Sequence, residues 1–190
     1  MKPAPFGYAR AATLDDVFSL LAEHGDDAKI IAGGQSLMAT LNMRLSEPEI
    51  LIDINRIDGL AGIEDTGDTI RIGAMTRHVD VEESDLVATH APMIAAAMEH
   101  IAHPAIRNRG TFGGSIAFAD PAAELPACAV ALEATMHVAG KGGTRDIAAT
   151  DFFKGLYETA LGEGEILTAV SVPKIAAGWK SGFMELARRH

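Results

Sequence analysis

The stretch Ile30-Ile31-Ala32-Gly33-Gly34-Gln35-Ser36-Leu37 sets two adjacent glycines between a short apolar run and the start of a helical pattern. Adjacent glycines allow backbone angles that other residues avoid, and they let a ligand approach the main-chain amides closely. The following helix begins with unpaired N–H groups and a partial positive charge, and Ser36 can cap it or bond a phosphate oxygen. The stretch therefore predicts either a tight strand-to-helix turn or a bend that binds an anion such as a pyrophosphate.

The segments around this bend alternate between strand and helix patterns. Strands are predicted at Phe6–Arg10, Lys29–Ala32 and Ile50–Ile54. The first helix begins at Thr13, which forms a variant of the capping box with Asp16, and ends at Gly25. The second helix runs from Leu37 to a point before Pro48, with a leucine at every fourth position. This β-α-β-α-β order predicts a small parallel sheet.

The rest of the chain has a different pattern, in which turns separate alternating strands. Strands are predicted at Leu60–Ile63, Thr69–Ala74, Thr135–Ala139, Thr144–Ile147, Glu165–Val172 and Phe183–Ala187, and helices at 86–101 and Pro121–Leu132. The predicted fold class is therefore α+β with two α/β lobes. A small parallel β-α-β lobe occupies residues 1–56, and a larger lobe with helices and a mixed or antiparallel sheet occupies residues 57–178.

A second pair of adjacent glycines stands in Thr111-Phe112-Gly113-Gly114-Ser115, again followed by a small hydroxyl residue. A bulged strand explains this stretch by itself, with Arg107 and Arg109 as solvated charges. Together, however, the two bends could hold one diphosphate from two sides. The chain has 16 Lys and Arg against 26 Asp and Glu, a net charge of −10, so an anion must be bound by local amide and hydroxyl donors rather than by the overall field.

Composition and missing motifs exclude several classes of protein. The acidic balance is unlike that of proteins that bind nucleic acid. The first bend has no G-x-G-x-x-G pattern and the chain has no G-x-x-x-x-G-K-[ST] pattern, which argues against a Rossmann site and a P-loop NTPase. The single cysteine cannot form an internal disulfide, and neither a signal peptide nor a run of ~20 apolar residues is present. We therefore expect a cytoplasmic protein without a transmembrane segment.

The two bends resemble the paired FAD-binding motifs of the molybdenum hydroxylase flavoproteins, a family that includes the medium (FAD) subunit of aerobic carbon monoxide dehydrogenase and the flavin domain of xanthine dehydrogenase. The resemblance covers nearly the whole chain and depends on the order and spacing of several motifs. Besides the two bends, these are Leu51–Asn55, Ile72–Ala74, Ile106–Gly110, Ala119–Pro126 and Glu165–Leu167. The resemblance implies a PCMH-type FAD-binding fold, in which two lobes clasp an FAD.

The resemblance also implies which residues bind the cofactor. Main-chain amides would hold the pyrophosphate and nearby flavin atoms at Ala32, Gly33, Gly34, Gln35, Ser36 and Leu37 in the first bend and at Thr111, Phe112, Gly113, Gly114 and Ser115 in the second. An acidic residue at the position of Glu124 would bond the adenosine ribose; many relatives have Asp there, so Asp120 could contribute instead. Leu167 would pack near the ring system. Phe112 replaces a more usual Ile, which main-chain contacts should tolerate.

The role that the resemblance implies is electron transfer within a complex. Substrate would be oxidised at a molybdenum cofactor on a large subunit, and electrons would pass through [2Fe-2S] clusters of a small subunit to the FAD and then to an acceptor. The implied assembly is a heterohexamer, a dimer of such trimers, most similar to the carbon monoxide dehydrogenase type. Because the redox chemistry belongs to the flavin, we predict no catalytic side chain and no metal ligand in this chain.

The end of the chain and the function leave alternatives open. The resemblance implies a third lobe that covers the flavin ring, so residues 179–190 are predicted to be the start of a truncated C-terminal region. The short end could result from truncation or proteolysis, or it could be natural. We then expect FAD to bind weakly, because much of its ring would stay in water. The alternatives are a nucleotide-binding or assembly module without redox turnover, a xanthine, aldehyde or CoA-ester dehydrogenase flavin subunit, and a stand-alone flavin reductase.

Two further features have a structural interpretation. His100 and His103 lie three residues apart at the end of a predicted helix, but no third residue at a suitable spacing completes a metal site. Cys128 lies in the apolar run Ala127–Leu132 and is predicted to be a buried small hydrophobic residue rather than a nucleophile.

Overall fold

The first three strands form a small parallel sheet, as the alternation of strands and helices predicts. In the computed structural model, which describes residues 2–186, these strands are β1 Gly7–Arg10, β2 Ala28–Ile31 and β3 Ile50–Asp53. They lie in the order β1-β3-β2, and both pairs are parallel. The connecting helices are α1 Leu14–His24, followed by a 3-10 turn at Gly25–Asp27, and α2 Leu37–Asn42. The carboxyl ends of the strands share one edge, where α/β proteins bind ligands.

Local hydrogen bonds set the limits of α1. The Thr13 hydroxyl accepts a hydrogen bond from the Asp16 amide at 3.1 Å, and the Asp16 carboxylate accepts one from the Thr13 amide at 2.9 Å. Hydrogen bonds from the amides of Ala12 and Thr13 lower the pKa of Asp16 below its ordinary value. Gly25 ends the helix with a φ of 52°. The predicted capping box and helix end are thus confirmed.

The second sheet is antiparallel and has five strands. They are β4 Ile63–Asp65, β5 Thr69–Gly73, β6 Thr135–Gly140, β7 Gly143–Ala148 and β10 Ile166–Pro173, in the order β4-β5-β10-β6-β7. A separate hairpin pairs β8 Phe153–Gly155 with β9 Glu158–Thr159. The α+β fold with two lobes is therefore confirmed, while the domain limits at residues 56 and 178 stay predictions.

Short helices cover this second sheet. They are α3 His78–Glu82, α4 Asp85–His90, α5 Pro92–Met98, α6 Pro104–Arg107, α7 Phe112–Phe118, α8 Glu124–Ala131 and α9 Ala149–Phe152. Within residues 2–186, no helix has the length and hydrophobicity needed to cross a membrane.

Two predicted helices have different limits in the structure. The single helix predicted at 86–101 is wrong, because Pro92 lacks the amide hydrogen that a continuous helix requires and instead begins α5. Helix α2 ends at Asn42, well before Pro48, because the chain turns at Arg44 with a φ of 55°. Leu45, expected on the apolar face of that helix, is 71% exposed.

Two predicted strands also differ. The strand expected at Leu60–Ile63 begins only at Ile63, because the Leu60 carbonyl instead accepts a hydrogen bond from the Met75 amide at 2.7 Å. The strand expected at Phe183–Ala187 is not formed over 183–186, and Ala187 lies outside the described residues.

Two hydrophobic cores hold the elements together. The larger core lies between the antiparallel sheet and its helices, and its fully buried side chains include Ile72, Met98, Phe112, Leu125 and Phe152. The smaller core joins the lobes, because Val17 and Ile52 of the first lobe belong to one cluster with Leu60, Met75 and Ile166 of the second. Full burial of such a side chain contributes about 1.5–3 kcal/mol. This shared core therefore holds the two lobes against each other next to the glycine bends.

Candidate functional site

The two glycine stretches lie in contact, backbone against backbone. We call them the first bend (residues 32–37) and the second bend (residues 109–115). A Cβ atom added to Gly33 would stand 2.8 Å from the Gly110 Cα and 2.9 Å from the Arg109 carbonyl carbon. A Cβ atom added to Gly114 would stand 3.9 Å from the Cβ of Ala32. The bends thus meet from opposite lobes, and only a residue without a side chain permits this approach at position 33.

The first bend presents free amide groups. Within residues 2–186, the five consecutive amides from Gly33 to Leu37 donate no hydrogen bond to another protein group. Gly34 turns the chain with a φ of 72°, and the Gln35 side-chain amide steadies the bend by donating to the Gly33 carbonyl at 2.9 Å. Ser36 stands at the N-cap of α2, but its side chain makes no capping hydrogen bond. The bend therefore offers a row of main-chain donors and a hydroxyl.

The second bend is built differently from the bulged strand that its sequence allows. Thr111 is the N-cap of α7, and its hydroxyl accepts a hydrogen bond from the Gly114 amide at 3.2 Å. The amides of Phe112 and Gly113 donate to the carbonyls of Thr76 and Ala74, both at 2.9 Å. Gly113 packs directly on Ala74, because a Cβ atom there would stand 2.6 Å from the Ala74 Cα. These amides are therefore already paired, unlike those of the first bend.

The predicted ribose-binding residues lie beyond the far end of α7. Asp120 follows that helix and accepts a hydrogen bond from the Ala122 amide at 2.9 Å. The sequence predicts that this helix begins at Pro121. In the structure the turn at Asp120 delays its start, and α8 begins at Glu124. Leu167, predicted near the flavin ring, is 5% exposed and belongs to the larger core.

Burial and neighbouring charges together shift the pKa of Glu124. Burial raises the pKa of the Glu124 carboxyl above its ordinary value, and the negative charges of Glu185 and Asp120 add to the rise, whereas His100 opposes it. His100 also packs against Phe183, with ring centroids 5.4 Å apart, and lies 3.9 Å from the Glu185 carboxylate. The segment around residues 183–185 therefore covers this part of the second lobe.

Three residues that sequence reasoning missed lie at the bends. Asn55 and Arg77 connect the first bend to the second through side-chain hydrogen bonds. His78 is buried and bonds the Thr111 carbonyl through Nε2 at 2.9 Å. A carbonyl only accepts, so Nε2 carries the hydrogen. Burial lowers the pKa of His78, with Arg107 and Arg77 adding to the effect. The available signals were that Asn55 ends the motif Leu51–Asn55 and that Arg77 and His78 follow Ile72–Ala74 by a few residues.

A hydrogen-bonded row of Asp146, His137 and Ser171 has the connectivity of a hydrolase triad. His137 Nδ1 lies 2.7 Å from the Asp146 carboxylate, and His137 Nε2 lies 2.7 Å from the Ser171 hydroxyl. The three residues lie on adjacent strands β7, β6 and β10. A triad needs donors aimed at a developing oxyanion, whereas amides of paired strands are engaged by the sheet. We interpret the row as a cross-strand network that stabilises the sheet.

Cys128 has a structural role rather than a catalytic one. Cys128 is a free, buried thiol, and burial raises its pKa to about 11. With that pKa the thiol stays protonated near pH 7, so the thiolate that a nucleophile needs is absent.

A cavity of about 670 Å³ lies between α1 and the β6–β7 hairpin, with Phe18, Leu21 and Arg145 among its lining residues. It shares no residue with either bend, so it is separate from the candidate cofactor site.

Comparison with known proteins gives one consistent result. The sequence profile of a family described as the FAD binding domain in molybdopterin dehydrogenase matches residues 4–175. The chain is 45% identical over 190 residues to the 6-hydroxypseudooxynicotine dehydrogenase complex subunit alpha of Paenarthrobacter nicotinovorans, which covers all of this chain and 64% of that protein. It is 41% identical to the carbon monoxide dehydrogenase medium chain of Hydrogenophaga pseudoflava, with 66% of that protein covered.

The solved structures agree with the sequence relatives. A structure of carbon monoxide dehydrogenase from Hydrogenophaga pseudoflava superposes with a TM-score of 0.97 at 42% identity, over all of this chain and 66% of that one. The chain thus spans slightly less than two thirds of the length of the relatives it matches.

The raised pKa of Glu124 predicts a pH-dependent effect on stability. An acid whose pKa is higher in the folded state binds more protons when folded, so stability falls as the pH rises through its titration range. In the FAD-free protein, we expect Glu124→Gln to raise the melting temperature by about 1–3 °C near pH 7. Near pH 3 the wild-type residue is protonated in both states, and the two melting temperatures should coincide. Calorimetric melts at both pH values check this, and a gain of equal size at both would contradict it.

Proposed function

The chain belongs to the family of FAD-binding domains of molybdopterin dehydrogenases, and from that premise we propose that it transfers electrons through FAD within a molybdenum hydroxylase. The observation that carries the proposal is the row of five unpaired amides from Gly33 to Leu37, which begins where Gly33 lies against the second bend. Such a row suits an anion such as a diphosphate, since backbone N–H groups bind anions without a cationic side chain. This is what a chain of net charge −10 requires.

The two bends have different roles in this proposal. The amides of residues 33–37 and the Ser36 hydroxyl would hold the diphosphate. The second bend would close the other side, supplying the Ser115 hydroxyl and close packing, because the amides of Phe112, Gly113 and Gly114 are already paired. Glu124 would bond the ribose, with Asp120 as the alternative, and the Asp120 carboxylate already accepts a hydrogen bond from the Ala122 amide. Leu167 would support the ring from the core beneath it.

FAD, when bound, accepts electrons from one partner and releases them to another. The residues of this chain orient the cofactor and set its surroundings. A cytoplasmic location also belongs to the proposal, consistent with a free, buried cysteine.

We further propose the two partners that the family role requires, a large molybdenum subunit and a small [2Fe-2S] subunit in a heterohexamer. The names of the relatives support the subunit role, because they denote a complex subunit and a medium chain. Their names differ in substrate, one naming 6-hydroxypseudooxynicotine and the other carbon monoxide, at similar identities of 45% and 41%. We therefore propose that the large subunit selects the substrate, and the carbon monoxide type is one candidate among these.

The electron-transfer step predicts how the bound flavin is reduced. With the iron–sulfur subunit present and reduced, we expect the flavin absorbance of the FAD-loaded protein to bleach. NAD(P)H alone should leave it unchanged. Stopped-flow spectroscopy measures both. Flavin that binds but stays oxidised would contradict the proposal in favour of a nucleotide-binding or assembly module, and bleaching by NAD(P)H alone would contradict it in favour of a flavin reductase.

The role of the first bend predicts that its backbone shape controls FAD affinity. Gly34 has a φ of 72°, and a Cβ atom there would stand 3.3 Å from the Ile31 Cδ1 and 3.4 Å from the Met38 Cγ. We expect Gly34→Ala to distort the bend and weaken FAD binding about tenfold or more, as measured by quenching of flavin fluorescence. The control is Gly142→Ala, which has no described heavy atom within 4 Å of the added Cβ. ADP, which shares the diphosphate, should displace FAD; a lack of competition would contradict the assignment.

A further inference from the structure

Arg77 links the two lobes at the point where the bends meet. It lies between β5 and α3, and its guanidinium donates in two directions. One hydrogen bond runs from Nη2 to the Oδ1 of Asn55 at 2.6 Å, and the other runs from Nη1 to the carbonyl of Arg109. Asn55 follows β3 in the first lobe, and Arg109 begins the second bend. A rigid, planar guanidinium with several donors suits such a two-point contact better than a lysine does.

Asn55 carries the link onward to the first bend. Its Nδ2 donates to the Ala32 carbonyl at 2.8 Å and to the Asp53 carboxylate at 2.7 Å. The orientation of this amide is fixed by its partners, because Arg77 can only donate and the two oxygens can only accept. The Asp53 carboxylate also accepts hydrogen bonds from the Tyr8 hydroxyl and from the main-chain amide of Asn55. Burial raises the pKa of Asp53, but these hydrogen bonds outweigh it and the pKa lies below its ordinary value.

The Ala32 carbonyl belongs to the same peptide plane as the Gly33 amide. The peptide bond is planar and trans, so the carbonyl oxygen and the amide hydrogen point in opposite directions. A hydrogen bond that holds the Ala32 oxygen toward Asn55 therefore points the Gly33 N–H away from Asn55. Gly33 is the first of the five unpaired amides. The same guanidinium that bonds Asn55 also fixes the Arg109 carbonyl, which lies against Gly33.

We propose that Arg77 and Asn55 form a latch that positions the first bend, setting the direction of the Gly33 amide and the spacing of the two bends before the cofactor binds. This inference rests on the proposed FAD site. The two side chains are positioning residues, since each acts through a backbone carbonyl. A bend that is already oriented loses less conformational freedom on binding, so the latch raises FAD affinity.

The sharpest variant is Asn55→Asp. It keeps an oxygen acceptor for Arg77 and removes the donor to the Ala32 carbonyl. Arg77→Met removes both hydrogen bonds that the guanidinium donates and keeps an unbranched apolar stem. The matched control is Arg145→Met, because the Arg145 guanidinium likewise donates to a carbonyl, that of Ala160 at 2.8 Å, and to a side chain, that of Glu165 at 2.6 Å. Neither partner of Arg145 belongs to a bend.

Two readouts test the latch. In the FAD-free protein, Asn55→Asp and Arg77→Met should each shift the Gly33 amide resonance in an ¹H–¹⁵N spectrum, whereas Arg145→Met should not. With FAD, both latch variants should bind about tenfold more weakly than the control, the loss expected when a hydrogen bond to a charged or orienting group is removed. An unshifted Gly33 resonance, or FAD affinity equal to that of Arg145→Met, would overturn the latch. Failure of the wild-type protein to bind FAD would instead contradict the proposed function, and the FAD-free spectra would still decide whether the latch exists.

Discussion

The close approach of two backbones at Gly33 and Arg109 is the constraint on which the rest of this structure depends. A Cβ atom at position 33 would overlap the second bend, so the lobes can meet only because that residue has no side chain. The core shared by Val17, Ile52 and Ile166 holds the lobes together beside this contact. The result is a row of unpaired main-chain donors whose first member, Gly33, lies against the residues that precede α7 in the other lobe.

The net negative charge of the chain explains why an anion site here needs main-chain donors. A net charge of −10 repels a diphosphate at long range, so affinity must come from donors at short range. Main-chain amides provide such donors without adding a cation, provided that their directions are fixed in advance. In the proposed latch, Asn55 and Arg77 fix these directions through carbonyl oxygens rather than through the ligand. In this account the positive charge of Arg77 orders the backbone around the site.

Local patterns were sufficient to predict much of the fold. The alternation around the first bend predicts the parallel sheet, and the Thr13–Asp16 pair predicts the start of α1, because both signals lie within a few residues. The split at Pro92 was readable from its missing amide hydrogen but was outweighed by the alanine-rich pattern around it. The displaced strand near Leu60 depends on a hydrogen bond from Met75, which no local pattern contains. The candidate site shows the same contrast between local and long-range signals. The glycine bends are visible in the sequence, whereas the hydrogen bonds of Asn55 to Ala32 and of Arg77 to Asn55 and Arg109 span 22 or more residues.

Residue-resolved amide hydrogen exchange, with and without FAD, shows whether the free amides of the first bend hold the cofactor. The account predicts that FAD strongly slows exchange at residues 33–37. The amides of Phe112, Gly113 and Gly114, which are already paired, should change little by comparison. Exchange at residues 33–37 that stays fast in the FAD complex would contradict the account.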